Sequence, residues 1–252
     1  MSSTILRWGL RTDVGRVRRL NQDAAMADGT LFVVADGMGG HRGGEVAADI
    51  AAGHFRLRDS IPDVDELTHA VVEANRLIRA RADMDPSLRG MGTTVVALAM
   101  IDDADGDPAF AAANVGDSRI YRLGETDMTQ ISDDHSLVAE LTRAGQLTEA
   151  EAAHHPQRNV LTRALGVDDE VAVDRWVFPV LAGERYLLCS DGLINEVSDL
   201  AIEHILRQAA EPEQAAERLV DMANASGGRD NITVVVVDVV EVSGCEAQET
   251  SS

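Results

Sequence analysis

Short apolar runs, several of them β-branched and bounded by Gly, Asp or Pro, predict β-strands at residues 4–11, 30–36, 92–101, 108–115, 118–124, 171–178, 185–190 and 231–240. Residues 43–58 and 63–82 carry a helical period instead. In the second, Leu67, Val71, Ala74, Leu77 and Ile78 recur along one face, and "PDVDEL" gives it an acidic first turn that suits the helix dipole. Two further helices are predicted at 198–209 and 212–226. Residues 133–166 read as short helices and polar turns inserted between sheet elements, and 243–252 as a polar, disordered tail. The helices come in pairs and never alternate singly with strands, so the pattern points to antiparallel α+β layers rather than a doubly wound sheet. No repeat or linker signal divides residues 1–242, which read as a single domain.

Composition narrows the function classes. At 252 residues and 45% hydrophobic content the chain can bury a substantial core. Forty-three acidic against 22 basic residues give a formal charge of -21, which repels nucleic acid phosphates and anionic membranes. The longest basic cluster is "RVRR" at 16–19. The N-terminus lacks the basic-then-apolar pattern of a leader, and no window reaches the ~18 apolar residues of a membrane span. Cys189 and Cys245 form neither a disulfide framework nor a metal spacing. The expectation is a soluble, cytoplasmic monomer. "DDADGD" at 102–107 lacks the sixth-position Gly and terminal Glu of a calcium loop, so it reads as a hairpin loop.

Candidate chemistry lies where apolar runs break. Two of them end in Asp-Gly, at Asp36–Gly37 and at Asp191–Gly192; Asp117 falls in a turn between two strands, and Asp230 just before another. A carboxylate desolvated at the end of a buried strand costs several kcal/mol unless it meets donors, water or a cation. Taken singly, each of these fits an ordinary turn or cap residue. Four together, at sheet rims beside small residues, predict a site for hard divalent cations such as Mg²⁺ or Mn²⁺, with waters completing the shells. Upstream, "GRVRRLNQDA" adds Asp23 and Arg18, a guanidinium suited to bidentate capture of a phosphate.

The segments "GRVRRLNQD", "VVADGMGGHRGGE", "GMGTT", "ANVGDSRIYR", "LLCSDGL" and "GRDNITVVVV", in this order across roughly residues 5–240, resemble the metal-dependent PP2C-type (PPM family) serine/threonine protein phosphatases, the bacterial ones in particular. The resemblance implies a four-layer α-β-β-α sandwich of two antiparallel sheets flanked by helices, with metals in a cleft at one end. It also implies roles. Asp36 would bridge two metals, Gly37 would give its carbonyl to one of them, and Asp191 and Asp230 would hold the other. Asp23 would bind a metal's waters, Arg18 the phosphate, and Asp117 a third, weaker metal. Two divalent ions about 4 Å apart can activate a bridging water and neutralise the phosphoryl oxygens it attacks, so hydrolysis is expected to be direct and in line. Substrates would be phosphorylated proteins, opposite a bacterial-type serine/threonine kinase.

Other phosphatase chemistries lack their nucleophiles here. Neither cysteine sits in a phosphate-cradling loop followed by arginine, and no Gly-x-Ser-x-Gly elbow surrounds Ser190, so Ser190 and Cys189 read as sheet residues. Relatives with "DGHGG" use that histidine as the acid for the leaving group; here the position is Met38, which has no proton to give. His41 or a metal-bound water would be the substitute, although His41 also reads as an ordinary helix-start residue. The insertion corresponds to the family's flap, and the adjacent His154 and His155 read as flap surface rather than zinc ligands. Gly92, Thr93 and Thr94 match the family pattern but read as structural. A regulatory module of the same fold, acting by partner binding, would normally have lost Asp36, Asp191 or Asp230, and none is lost. A phosphatase dedicated to one regulatory phosphoprotein stays open. With so acidic a chain, positive potential would concentrate at the metals and at Arg16, Arg18 and Arg19, favouring basic residues beside the phosphosite.

Overall fold

Central strands that are buried on both faces explain why the apolar runs are continuous rather than alternating. The computed structural model describes residues 4–39, 43–58 and 60–242. In β3 (Leu31–Met38), Phe32 and Val34 enter one core while Val33 and Ala35 enter another, and all four are fully buried. β11 (Ile232–Val242) divides the same way, with Val235 and Val237 on one side and Val234 and Val236 on the other.

The remaining strands are β1 (Thr4–Asp13), β2 (Asp23–Asp28), β4 (Gly92–Thr93), β5 (Val95–Asp102), β6 (Pro108–Val115), β7 (Arg119–Leu123), β8 (Met128–Gln130), β9 (Asp174–Pro179) and β10 (Arg185–Cys189). One sheet runs β1-β11-β10-β7-β8; the other runs β2-β3-β5-β6-β9, with β4 against β3. Every pairing is antiparallel. The helices are α1 (Gly43–Arg56), α2 (Val64–Met84), α3 (Leu137–Arg143), α4 (Glu149–Ala152), α5 (Asp191–Ile194), α6 (Asp199–Gln208) and α7 (Pro212–Ser226), with a 3-10 turn at Pro86–Leu88. α1 and α2 cover the second sheet through Ala47, Ala51, Phe55, Leu67, Val71 and Ile78. α6 and α7 cover the first through Ile202, Leu206, Ala216 and Leu219. Between the sheets, Phe110 and Tyr186 meet edge to face with centroids 4.9 Å apart, worth about 1 kcal/mol beyond their buried area. This is the expected α-β-β-α sandwich.

Several expected boundaries move for identifiable reasons. "DAAMAD" forms β2 although it is poor in β-branched residues, because β3 supplies a complete partner ladder. β3 continues past Asp36, since Gly37 and Met38 pair with Thr93 and Gly92. The run expected at 92–101 is split because the N–H of Asp36 bonds to the side-chain Oγ1 of Thr94 rather than to a strand carbonyl, at 3.1 Å. The strand expected from 171 begins at Asp174. Leu77, placed on the apolar face of α2, is exposed, whereas Ala70 and Asn75 are buried there. The "DDADGD" loop is a hairpin turn between β5 and β6, in which Asp103 Oδ1 accepts from the N–H groups of Asp105 and Asp107 at 2.9 and 3.0 Å. Among the described residues no helix is long and apolar enough to cross a membrane. The tail 243–252 with Cys245, and His41, lie outside the described residues.

Candidate active site

Five aspartates from five separate places in the chain meet at one end of the sandwich. β2 and β3 set Asp23 directly opposite Asp36 in the ladder, an arrangement that like charges ordinarily disfavour. Asp191 is the first residue of α5, immediately beyond β10. Asp230 precedes β11, and Asp117 occupies the turn between β6 and β7. All five are partly exposed, yet deep enough for burial to dominate the titration of four of them. Burial first, then the charges of Asp23, Asp191, Asp117 and Asp230, holds the Asp36 carboxyl well above its ordinary range. Asp23 is pushed up to about 7 by burial, against hydrogen bonds from Thr233 and Ser190, with Asp191 and Asp230 adding to the rise. Asp117 is raised to about 8 by burial and then by Asp191 and Asp134. Asp191 rises through burial and the charge of Asp230, and shares a hydrogen bond with Asp36.

Protein donors satisfy only part of this cluster. Ser190 Oγ donates to Asp23 Oδ2 at 2.9 Å, Asn195 Nδ2 to Asp191 Oδ2 at 3.0 Å, and the Asn231 N–H to Asp230 Oδ1 at 2.9 Å. Half-exposed Arg18 gives one Nη to Asp230 Oδ2 at 2.6 Å, leaving most of its five donors for another anion. Asp23 Oδ1 is buried without any partner. An acceptor orphaned among carboxyls that burial and mutual repulsion disfavour as anions fits divalent cations. Among the described residues no group of three His, Cys, Asp or Glu closes as a ready-made cage around one ion. The set therefore suits ions that take one or two carboxylates and keep several waters, as Mg²⁺ and Mn²⁺ do.

The holders of these aspartates carry no chemical signature in the sequence. Thr93 and Thr94 are more than spacers: the Thr94 N–H and the Thr93 hydroxyl both donate to the Asp36 carbonyl, at 2.9 Å each. Ser190, no nucleophile, links the Thr233 N–H to Asp23. Asn231 takes the Gln22 N–H on Oδ1 at 2.9 Å and donates through Nδ2 to the carbonyls of Val14 and Leu20 at 3.0 and 2.9 Å. It thereby pins the loop that presents Arg18. Gly37 is required by contact: a Cβ there would overlap the carbonyl oxygens of Gly44 and Gln22. Met38 packs its thioether beside Gly92.

A cleft of about 890 Å³ opens from Asp117 and Asp191 between α5 and the insertion that carries α3 and α4, with Arg119, Asp134, Arg143 and Arg158 on its walls. Arg119 is committed to Asp134 through Nε and Nη2, at 2.9 and 2.7 Å, and to the Tyr121 hydroxyl through Nη1 at 2.8 Å. His154 and His155 bond within the insertion, to the Ala150 carbonyl and the Gln157 N–H.

Comparison with known proteins gives this arrangement a family. The sequence profile of protein phosphatase 2C matches residues 16–225. Serine/threonine phosphatase stp of Listeria innocua is 39% identical over 245 residues, covering 90% of this chain and 94% of its own. Serine/threonine protein phosphatase PstP of Mycobacterium tuberculosis is 42% identical over 241 residues, which are 94% of this chain and 46% of that protein. The crystal structure of the Mycobacterium tuberculosis phosphatase PstP/Ppp has a TM-score of 0.87 at 40% identity, covering 94% of this chain and 99% of that one. The PstP catalytic domain in complex with two manganese ions has a TM-score of 0.86 at 40% identity, covering 95% and 100%. With the profile spanning most of the chain and relatives this similar over nearly its whole length, the chain belongs to the protein phosphatase 2C family.

Proposed function

We propose that this chain is a divalent-metal-dependent protein phosphatase that hydrolyses phosphoserine and phosphothreonine by direct, in-line attack of water. The observation that carries the reading is the convergence of five aspartates, Asp23 among them with its Oδ1 buried and partnerless, at the end of the sandwich where Asp117 and Asp191 line the cleft. When bound, two cations supply an activated water as nucleophile and neutralise the phosphoryl oxygens.

The residues would divide the work as follows. Asp36, whose carboxyl feels the charges of all four others, would be shared between the two ions, with the Gly37 carbonyl serving one and Asp191 and Asp230 the other. Asp23, held by Ser190, would act through water. Arg18 has free donors beside Asp230 and would orient the phosphate, fixing the line of attack. Asp117, across the cleft opening and next to Asp191 in charge, would hold a third, weaker ion. Mn²⁺ and Mg²⁺ both suit all-oxygen ligands. The relatives named as serine/threonine phosphatases support phosphoproteins as substrates, and a monomeric, cytoplasmic enzyme opposing a bacterial-type serine/threonine kinase completes the proposal.

Phosphate release from p-nitrophenyl phosphate and a phosphothreonine peptide, with Mn²⁺ or with chelator, tests it in the native protein and in Asp36→Asn. Turnover should require both the metal and Asp36. Metal-independent turnover, or none in the native protein, would overturn the proposal.

A further inference from the structure

The geometry points to His135 as a positioning residue for the reaction: an imidazole that fixes the Gly116–Asp117 corner from behind and ties both roots of the 133–166 insertion to it. The inference rests on the reading of Asp117 as a ligand of a weak third ion.

His135 is fully buried and never reaches the cleft. It grips a single residue twice. Its N–H donates to the Gly116 carbonyl at 2.9 Å, and its ring Nδ1 accepts the Gly116 N–H at 3.0 Å. A ring nitrogen that accepts a backbone N–H carries no proton, so the proton is on Nε2, which donates to Asp174 Oδ2 at 3.1 Å. The other oxygen of Asp174 is held by Arg163 Nη1 at 2.6 Å. The returning segment of the insertion closes on the same residue, through the Thr162 N–H to the His135 carbonyl at 2.9 Å.

Asp117 is thus presented by two anchored neighbours. On one side Ser118 Oγ meets Thr94 Oγ1 at 2.7 Å, and Thr94 holds the backbone of Asp36. On the other, Gly116 has φ +115° and no room for a side chain, because a Cβ would stand 2.5 Å from that of Thr94. His135 holds that side through its ring Nδ1, the side-chain acceptor for the Gly116 N–H, while Asn114 Nδ2 adds a longer bond to the Gly116 carbonyl at 3.3 Å. Partners behind a metal ligand commonly govern affinity by 10–100-fold.

Two substitutions separate the halves of this grip. In His135→Asn, Oδ1 falls near the position of Nδ1 and keeps the acceptor for Gly116; in His135→Gln, the amide reaches Asp174 but that acceptor is lost. Calorimetric titration of the metal-free full chain with Mn²⁺ is the readout. His135→Gln should weaken the weakest binding step by roughly tenfold or more and leave the tighter steps unchanged, whereas His135→Asn should restore it to within about threefold of the native value. Asp117→Asn should remove that step altogether. If Asp117→Asn leaves the isotherm unchanged, the reading of Asp117 falls and the inference with it. If Asp117→Asn removes the step but His135→Gln matches the native protein, or if His135→Asn loses the step as well, the role given to His135 alone is overturned. Should His135→Gln fail to fold, His135→Leu, which also lacks the acceptor for the Gly116 N–H, takes its place under the same criterion.

Discussion

Replacing Asp23 by asparagine should stabilise the metal-free protein while removing its function, by an amount that depends on pH. The Asp23 carboxyl is lifted from 3.8 to about 7, chiefly by burial. At 1.36 kcal/mol per pH unit, its ionised form costs the metal-free fold at most about 4 kcal/mol. Below about pH 4 the group is protonated in folded and unfolded chains alike and contributes nothing. Between about pH 4 and 7 the unfolded chain releases its proton while the folded chain keeps it, so stability falls as pH rises, and above about 7 the loss is complete. Asp117 extends the same loss to about pH 8.

Asparagine keeps an oxygen for the Ser190 hydroxyl, and its amide turns the partnerless Oδ1 into a donor among the neighbouring carboxyls. In a domain of this size 1 kcal/mol moves Tm by about 2–4 °C. Scanning calorimetry in chelator should therefore show Asp23→Asn melting roughly 5–10 °C above the native protein at pH 8, and within about 2 °C of it at pH 4.5. Mn²⁺ at pH 8 should stabilise the native protein more than the variant, since the cation takes the ionised site. A variant that melts below the native protein at pH 8 in chelator, or by the same increment at both pH values, would refute the reasoning.

Two further substitutions probe the frame of the site. Gly192→Ala would drive a Cβ into the Asn231 carbonyl oxygen and should lower urea stability by at least about 2 kcal/mol with loss of metal-dependent turnover; Gly29→Ala, at φ +60° with open space around it, should cost only about 1–2 kcal/mol of backbone strain and leave turnover intact. Arg18→Ala breaks a half-exposed pair with Asp230, so stability should change by under about 1 kcal/mol, while kcat/KM on a phosphothreonine peptide should fall at least about tenfold; an unchanged kcat/KM would remove Arg18 from phosphate binding.

What the sequence makes legible follows from how local each signal is. The valine run of β11 and the apolar faces of α6 and α7 carry their own periodicity, so their positions emerge from the chain alone. The aspartates emerge because a carboxylate at the end of a buried run is costly enough to demand a reason. β2 does not emerge: nothing in "DAAMAD" favours a strand until β3 lies beside it. Asn231 stays hidden for the same reason, since the groups it binds lie more than 200 residues away in the chain. Thr94 and His135 reach their partners across 58 and 19 residues. Each is an uncharged polar residue whose meaning lies entirely in what the fold brings to it.

The glycines after the aspartates are the clearest case of a visible signal with a hidden cause. Asp-Gly reads as a turn that leaves room for ligands, yet at both places the glycine is a contact. Gly37 abuts the Gln22 carbonyl and the start of α1 at Gly44; the Gln22 N–H bonds to the side chain of Asn231; and the Asn231 carbonyl presses on Gly192. The residues that follow Asp36, Asp191 and Asp230 are therefore joined, through Gln22, into one packed knot directly behind the carboxyls. Mutual repulsion among the aspartates pushes them apart, and this knot of backbone atoms, with no side chain free to yield at either glycine, is what opposes it. A larger residue at either position would spread the carboxyls before it altered the chemistry of any one of them, which is why a cation site that takes only one or two carboxylates per ion can still be built to a fixed spacing.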